Sequence, residues 1–150
     1  MAIQIGDYLP HFKATQQDGN AFDTVLIQDK PVVIYFYPKD FTPGCTTQAC
    51  SFRDAYQDFQ DLGAEVIGVS GDSVSSHQNF RQKHNLPFIL LSDTDRKLRK
   101  LFGVPTALFG LVPGRVTYVF DAHGKAIYIF DSMSAKNHIA KALEAIRKAK

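Results

Sequence analysis

The sequence predicts an α/β fold in which helices flank a central mixed sheet. One observation is that apolar runs alternate along the chain with segments of helical periodicity, as they do in sheets whose strands run parallel. A second is that two strand-like runs, 115–121 and 125–131, are separated by a three-residue connection that contains Gly124. A connection of that length with a glycine predicts an antiparallel pair. Parallel and antiparallel strands together make the predicted sheet mixed.

Two apolar runs, 32–37 and 66–69, are rich in β-branched or aromatic residues and lack strict alternation. Such runs are typical of inner strands that are covered on both faces. Four apolar residues between them recur at helical spacing: Ala49, Phe52, Tyr56 and Phe59. The spacing predicts an amphipathic helix over 45–61 that ends near Gly63. A helix between two inner strands predicts a right-handed parallel crossover.

The elements that follow continue the alternation. Three segments predict a helix, a short strand and a short helix, in that order: 73–83, 88–91 and 94–102. The last of these is expected to stop at Gly103. After the antiparallel pair, Ser134 can cap a final helix. The apolar stripe of that helix consists of Ile139, Leu143 and Ile146.

Length and composition narrow the class of protein. A chain of 150 residues, 45% hydrophobic and 21% charged, can build one self-sufficient core, which predicts a single domain over residues 1–150. The net charge of +2 argues against a nucleic-acid partner, and the basic clusters 96–100 and 147–150 are interpreted as solvated helix faces. Because no apolar run is long enough for a membrane span and the start lacks a signal-peptide pattern, a cytoplasmic location is predicted.

The chemistry of the chain is predicted to lie in residues 38–50, between the first inner strand and the helix that follows. Cys45 falls in the first turn of that helix, where unpaired backbone amides and the positive end of the helix dipole favour the thiolate. The thiolate, rather than the thiol, is the nucleophile. On composition alone, Thr42 could be a turn residue and Pro38 a strand terminator. Either thiol could be an inert apolar group, Cys50 above all.

The spacing of the two cysteines restricts how they can react. Positions five apart on a regular helix are separated by a rise of about 7.5 Å and a rotation of about 140°. The Cα atoms of Cys45 and Cys50 should then lie more than about 8 Å apart, beyond the limit of about 7 Å for a disulfide. If the two cysteines pair during turnover, the first turns of the helix must unwind.

A cation beside a reactive thiolate would hold it and would stabilise charge on a leaving oxygen, and arginine suits this role because it stays charged. Arg115 is the candidate, since it begins a strand after a Pro-Gly turn, at a strand end where loops gather. A plain surface charge is the alternative. The other arginines lie on predicted helices: Arg53, Arg81, Arg96, Arg99 and Arg147.

No cofactor or metal is expected. The chain has two thiols and no histidine that follows them at zinc-ligand spacing. The histidines are expected at the surface or in turns: His11, His77, His84, His123 and His138. Four apolar residues could wall a site for alkyl groups, although core packing explains them equally well. They are Phe41, Phe102, Phe109 and Leu111.

The segment 35–50, YFYPKDFTPGCTTQAC, resembles the active-site signature of peroxiredoxins of the Q type, also called the bacterioferritin comigratory protein family. That family spaces a proline, a threonine and the peroxidatic cysteine as P-x-x-x-T-x-x-C, and the matching residues are Pro38, Thr42 and Cys45. The resolving cysteine of the subfamily falls on Cys50, and the active-site arginine of the family falls on Arg115. The loop 102–115 is more similar to cyanobacterial and plastid members than to enterobacterial ones.

The resemblance covers nearly the whole chain and implies a thioredoxin-like fold. It also implies an antioxidant enzyme, monomeric, that reduces hydrogen peroxide and organic hydroperoxides. In the family the threonine hydroxyl and backbone amides align the peroxide, the proline shields the thiolate, and the arginine steadies the thiolate and the transition state. The same roles are implied here for Thr42, Pro38 and Arg115.

The mechanism implied by this resemblance is a two-cysteine peroxidase cycle. Cys45 would become a sulfenic acid and condense with Cys50, and a thioredoxin-type reductant would exchange with the disulfide. A protein disulfide reductase is an alternative, disfavoured because such enzymes use C-x-x-C. A redox sensor or chaperone-like module with the same cysteine pair is a second alternative.

Overall fold

The computed structural model describes residues 2–107, 112–134 and 137–149. Within these residues the chain forms nine strands: β1 (Lys13–Gln16), β2 (Ala21–Asp23), β3 (Val32–Phe36), β4 (Glu65–Ser70), β5 (Ile89–Ser92), β6 (Thr106–Ala107), β7 (Val112–Pro113), β8 (Val116–Phe120) and β9 (Ala126–Asp131). The same residues form five α-helices: α1 (Pro43–Asp54), α2 (Tyr56–Asp61), α3 (Val74–His84), α4 (Lys97–Phe102) and α5 (His138–Lys148). A 3-10 helix, Thr24–Ile27, follows β2.

Seven of these nine strands form one mixed sheet in the order β2-β1-β5-β4-β3-β8-β9. β4 lies between β3 and β5 and runs parallel to both. β8 is antiparallel to β3 and to β9, and β1 is antiparallel to β5 and to β2. In the connection between β8 and β9, Gly124 has a φ of 81°. The predicted mixed sheet and its antiparallel pair β8–β9 are confirmed.

β3 is buried along its whole length because both faces of the sheet are covered, as predicted for an inner strand. Val33 and Tyr35 pack on one face against residues of α1, α2, α3 and α5. Val32, Ile34 and Phe36 pack on the other face against α4 and the segment before β3. The loop that leaves the end of β3 for α1 therefore starts from the interior of the molecule.

The helix predicted over 45–61 is two helices. α1 begins at Pro43, a first helical position that proline tolerates because its missing N–H would have no helical partner there. α1 ends at Asp54, and α2 begins two residues later. Ala55 between them has φ −95° and ψ 2°, outside the helical region, so the two helices are not one continuous rod.

Two helices begin later than predicted. α4 begins at Lys97 rather than near 94, because the carboxylate of Asp93 accepts the backbone N–H groups of Leu98 at 2.8 Å and Arg99 at 3.1 Å. α5 begins at His138, after Asn137 in a left-handed conformation, rather than directly after Ser134. Its predicted apolar stripe does pack on the core: Ile139, Leu143 and Ile146.

The hairpin β1–β2 has no counterpart among the predicted elements. Its strands are four and three residues long and only partly buried, so they lack a clear hydrophobic period. The signal for it is the turn between them, where Gly19 has a φ of 84°. None of the helices in the described ranges has the length and apolar character that a membrane span requires.

Candidate active site

Cys45 lies in the first turn of α1, as the sequence predicts. Thr42 occupies the flanking position with extended backbone, and its carbonyl accepts the N–H of Thr46 at 2.9 Å. Pro43 and Gly44 are the first two helical residues, which makes Cys45 the third. The backbone N–H groups of such positions have no acceptor within the helix, and the helix dipole is positive there. The local backbone therefore favours negative charge at the sulfur.

The sulfur of Cys45 is buried against a guanidinium group. Cys45 is 1% exposed and Arg115 is 4% exposed. Nη2 of Arg115 donates a hydrogen bond to Sγ at 3.2 Å. Nη1 donates to the side-chain oxygen of Gln48, and Nε donates to the carbonyl of Met133 at 3.0 Å. Three partners thus fix the plane of the guanidinium and hold its positive charge beside the sulfur.

Gly44 leaves room for this guanidinium. A Cβ added at this position would lie 3.1 Å from Nη2 of Arg115. That approach is tighter than nine in ten real Cβ contacts. The residue before the cysteine is therefore small because the arginine occupies the space beside it.

Gln48 belongs to the site, although its residue type alone does not identify it as a site residue in the sequence. It is fully buried, and its oxygen accepts from Arg115. Its Nε2 finds no acceptor within the part of the chain that the structure describes. The available signal is its spacing, because residues three apart on a helix lie on one face and Gln48 follows Cys45 by three.

Thr42 and Pro38 lie in the loop that carries α1. The Thr42 hydroxyl donates to the carbonyl of Lys39 at 2.8 Å, so its proton is directed into the loop and its lone pairs remain available. Pro38 is half-buried and directly follows the buried Tyr37. Thr42 directly precedes α1, whereas Pro38 lies four residues earlier in the same loop. The hydrogen bond to the sulfur comes from Arg115.

Arg99 was expected on a solvated helix face, and this expectation is wrong. Its side chain is buried, and burial lowers the pKa of its guanidinium from the usual value. It donates to the carbonyl of Tyr37 at 2.8 Å and to the carbonyl of Gly114 at 3.2 Å. These carbonyls directly precede Pro38 and Arg115. Arg99 therefore ties together the two chain segments that form the site.

Two histidines are buried, against the expectation that all five lie at the surface or in turns. Nε2 of His138 donates to the carbonyl of Ser132 at 3.0 Å, and the Thr117 hydroxyl lies 2.7 Å from Nδ1. Burial lowers the pKa of His138, which favours the neutral ring. His138 therefore supports the segment whose next carbonyl, that of Met133, binds Arg115.

The second buried histidine, His77, belongs to a cluster in which ligand atoms of three side chains lie within 4.8 Å of one another. The other two are Asp40 and Asp72. Oxygen and imidazole nitrogen atoms of this kind can bind metals. Here, however, these atoms are committed to hydrogen bonds: Oδ2 of Asp40 with Nδ1 of His77 at 2.7 Å, and Nε2 of His77 with the carbonyl of Leu91 at 2.9 Å. The cluster is therefore a hydrogen-bonded anchor.

Cys50 lies on the same helix as Cys45 and is half-buried. Both cysteines are free, and α1 is unbroken from Pro43 to Asp54. Regular helical geometry then keeps their Cα atoms more than about 8 Å apart, as the sequence predicts. The two sulfurs cannot form a disulfide in this conformation.

The proposed apolar wall is only partly supported. Phe41 is 47% exposed and directly precedes Thr42, although its ring contacts Phe80 and His84 of α3. Phe102 is fully buried and packs against the rings of Phe12, Phe36 and Tyr118, so its assignment to the wall is wrong. The remaining candidates lie outside the described residues: Phe109 and Leu111.

Comparisons with known proteins bear on this geometry. Residues 5–129 match the model of the AhpC/TSA family. The chain is 49% identical to the chloroplastic peroxiredoxin Q of Oryza sativa subsp. japonica, over 97% of this chain and 67% of that protein.

Solved structures also resemble this chain over most of its length. Peroxidoxin BcpB from Mycobacterium tuberculosis superposes with a TM-score of 0.90 at 34% identity, and 99% of each chain is covered. The bacterioferritin comigratory protein of Xanthomonas campestris, a protein with alkyl peroxide reduction activity, superposes with a TM-score of 0.85 at 31% identity, covering 92% of this chain and 91% of that one. The predicted thioredoxin-like fold is confirmed by these similarities.

Proposed function

We propose that Cys45 is the peroxidatic cysteine of this chain and Cys50 its resolving cysteine, because the chain belongs to the AhpC/TSA family and, within it, to the peroxiredoxin Q type. The chain is a thiol peroxidase of the atypical two-cysteine type, with a hydroperoxide as substrate and a thiol as reductant. The observation that carries the assignment is the 3.2 Å hydrogen bond from Arg115 to the buried sulfur at the start of α1.

In the first step the Cys45 thiolate attacks one oxygen of the hydroperoxide. A sulfur–oxygen bond forms while the oxygen–oxygen bond breaks, so the sulfur is oxidised to a sulfenic acid. The leaving alkoxide or hydroxide takes up a proton and departs as an alcohol or water. The guanidinium of Arg115 stabilises the charge on the leaving oxygen. In this proposal Thr42 aligns the peroxide through its hydroxyl and Pro38 shields the thiolate from water.

In the second step the thiol of Cys50 attacks the sulfenic sulfur of Cys45, and a disulfide forms as water leaves. This step requires the first turns of α1 to unwind, because the intact helix holds the two cysteines too far apart. In the third step a dithiol of the thioredoxin type reduces the disulfide and is itself oxidised.

The substrates proposed here are hydrogen peroxide and organic hydroperoxides. The alkyl peroxide reduction activity of the Xanthomonas campestris relative supports the organic class. A thioredoxin-type reductant, a monomer of one domain over residues 1–150, a cytoplasmic location and the absence of a metal or cofactor remain predictions. Neither the protein disulfide reductase nor the redox sensor is favoured by a specific feature of the site.

Single replacements of the two cysteines test the assignment. The Cys45→Ser variant should lose peroxide turnover, because serine cannot form the sulfenic acid. The Cys50→Ser variant should reduce one peroxide per molecule and then stop, unless an external thiol resolves the sulfenic acid. Peroxide consumption and sulfenic-acid labelling, with the wild-type chain as the control, measure both outcomes. Sustained turnover by Cys45→Ser would contradict the proposal.

A further inference from the structure

The loop before α1 is anchored through the side chain of one residue, Asp40. This residue is 3% exposed, and its carboxylate engages three partners. Oδ1 accepts from the Tyr37 hydroxyl at 2.6 Å, and Oδ2 accepts from the Ser76 hydroxyl at 2.9 Å and lies 2.7 Å from Nδ1 of His77. Burial, followed by the charge of Asp40, raises the pKa of Tyr37 well above the usual value, so the phenol keeps the proton that it donates.

The partners of Asp40 are themselves fixed by other elements. His77 is fully buried in α3, and its Nε2 lies 2.9 Å from the carbonyl of Leu91 in β5. Since a carbonyl can only accept, Nε2 carries a proton. The backbone N–H of Asp40 also donates to Asp72, whose same oxygen accepts from the Ser70 hydroxyl at the end of β4. Side chain and backbone of Asp40 are thus bound to the sheet and to α3.

The residue after Asp40 is held in an unfavourable conformation. Phe41 has a φ of 64°, in the left-handed region, where the Cβ of an L-residue comes too close to the following carbonyl oxygen. Its ring is 47% exposed and makes an edge contact with Phe80, with ring centroids 5.1 Å apart. Such a conformation persists only where the neighbouring structure imposes it. Asp40 is fixed on one side of Phe41, and the start of α1 at Pro43 is fixed on the other.

We propose that Asp40, held by His77 and Ser76, is a positioning residue that keeps the turn at Phe41 and so holds the Cys45 sulfur against Arg115. Without this anchor, Phe41 can return to a negative φ and redirect the chain that follows it. The sulfur then spends less time at the 3.2 Å contact with Arg115 on which its oxidation depends. This inference rests on the proposed function, because it concerns the rate at which Cys45 is oxidised.

Two substitutions of Asp40 separate position from charge. In a Cys50→Ser background, which isolates one oxidation event, Asp40→Ala should lower the second-order rate of Cys45 oxidation by hydrogen peroxide about ten- to a hundredfold. Asp40→Asn should restore the rate to within about threefold of the parent, because its amide oxygen can accept from Tyr37 and its amide N–H can donate to Nδ1 of His77.

A matched control removes an equally buried hydrogen bond elsewhere. The side-chain oxygen of Gln17 accepts the backbone N–H of Leu90 at 2.9 Å in the interior. Gln17→Met should lower the midpoint of urea unfolding and leave the oxidation rate unchanged. Ser76→Ala removes one hydrogen bond from α3 to Asp40 and is expected to slow Cys45 oxidation about two- to fivefold. This variant replaces Asp40→Ala in the test if Asp40→Ala does not fold.

Three outcomes would overturn the inference. The first is an unchanged oxidation rate in Asp40→Ala, or in Ser76→Ala if Asp40→Ala does not fold. The second is that Asp40→Asn slows oxidation as much as Asp40→Ala does. The third is that Gln17→Met slows oxidation as much as Asp40→Ala does. Failure of the proposed function would look different, because Cys45 of the parent Cys50→Ser chain would then be oxidised no faster than an ordinary cysteine thiol.

Discussion

Cys45 and Cys50 lie five residues apart on one helix and meet different surroundings. Cys45 is buried and accepts a hydrogen bond from the guanidinium of Arg115, which lies 70 residues away in the sequence. Cys50 is half-buried. Arg53, one turn further along the helix, donates to the carboxylate of Asp54 and to the carbonyl of His84. The comparison shows that tertiary contacts, rather than residue type or helix membership, distinguish the two sulfurs, and on this difference the proposed peroxidatic and resolving roles depend.

Removing the guanidinium of Arg115 should abolish most of the difference between the oxidation rates of Cys45 and Cys50. Arg115→Gln is expected to slow Cys45 oxidation by hydrogen peroxide about 10²- to 10³-fold, since a donor to the developing charge is lost. The second-order rate is measured in the Cys50→Ser background by titration of free thiol.

Two controls sharpen this first prediction. Arg115→Lys keeps a charge and loses the planar fork of donors, so an intermediate rate is expected. The slow oxidation of Cys50, measured in a Cys45→Ser background, should not change with Arg115→Gln. If Arg115→Gln slowed both cysteines equally, the contrast between their surroundings would not explain their roles.

A methyl group added beside the guanidinium should slow Cys45 oxidation less than removal of the guanidinium does. Gly44→Ala is expected to slow Cys45 oxidation about three- to tenfold, because the new Cβ would press on Nη2 of Arg115 at 3.1 Å. Alanine also has the higher helix propensity, so the free energy of unfolding should rise or hold. Thr47→Ala, at an exposed position of the same helix, should leave the rate unchanged. A wild-type rate in Gly44→Ala would show that Arg115 need not be held where it lies.

The smallest expected effect is structural and bears on the helix that both cysteines share. On oxidation to the disulfide, α1 should lose about two turns of helix, since the Cα atoms must close from more than about 8 Å to less than about 7 Å. Far-UV circular dichroism and amide hydrogen exchange at residues 46–50, whose N–H groups have acceptors within the helix, measure this loss, and α5 is the internal control. Unchanged protection of those amides in the disulfide form would contradict unwinding.

Periodicity in the sequence was sufficient to predict the central strands and most of the helices of the fold. The apolar run that becomes β3, the helical spacing of Ala49 and Phe52, and the glycine-containing connection between β8 and β9 each report local geometry and burial. The same reasoning puts Cys45 in the first turn of α1 and separates it from Cys50, because both statements depend only on position along one helix. This reasoning does not predict the hairpin β1–β2, because short and half-exposed strands show little hydrophobic periodicity.

The partners of these residues were decided by tertiary structure. Arg99 and His77 have the polar character of surface residues in the sequence, and burial becomes possible only because carbonyls and carboxylates from distant segments satisfy their donors. Phe102 turns from a candidate site wall into core for the same reason, since the rings around it come from other elements. Local sequence determines which face of a strand or helix is covered. The distant group that covers it depends on how the elements pack, and the contact between Arg115 and Cys45 is of this second kind.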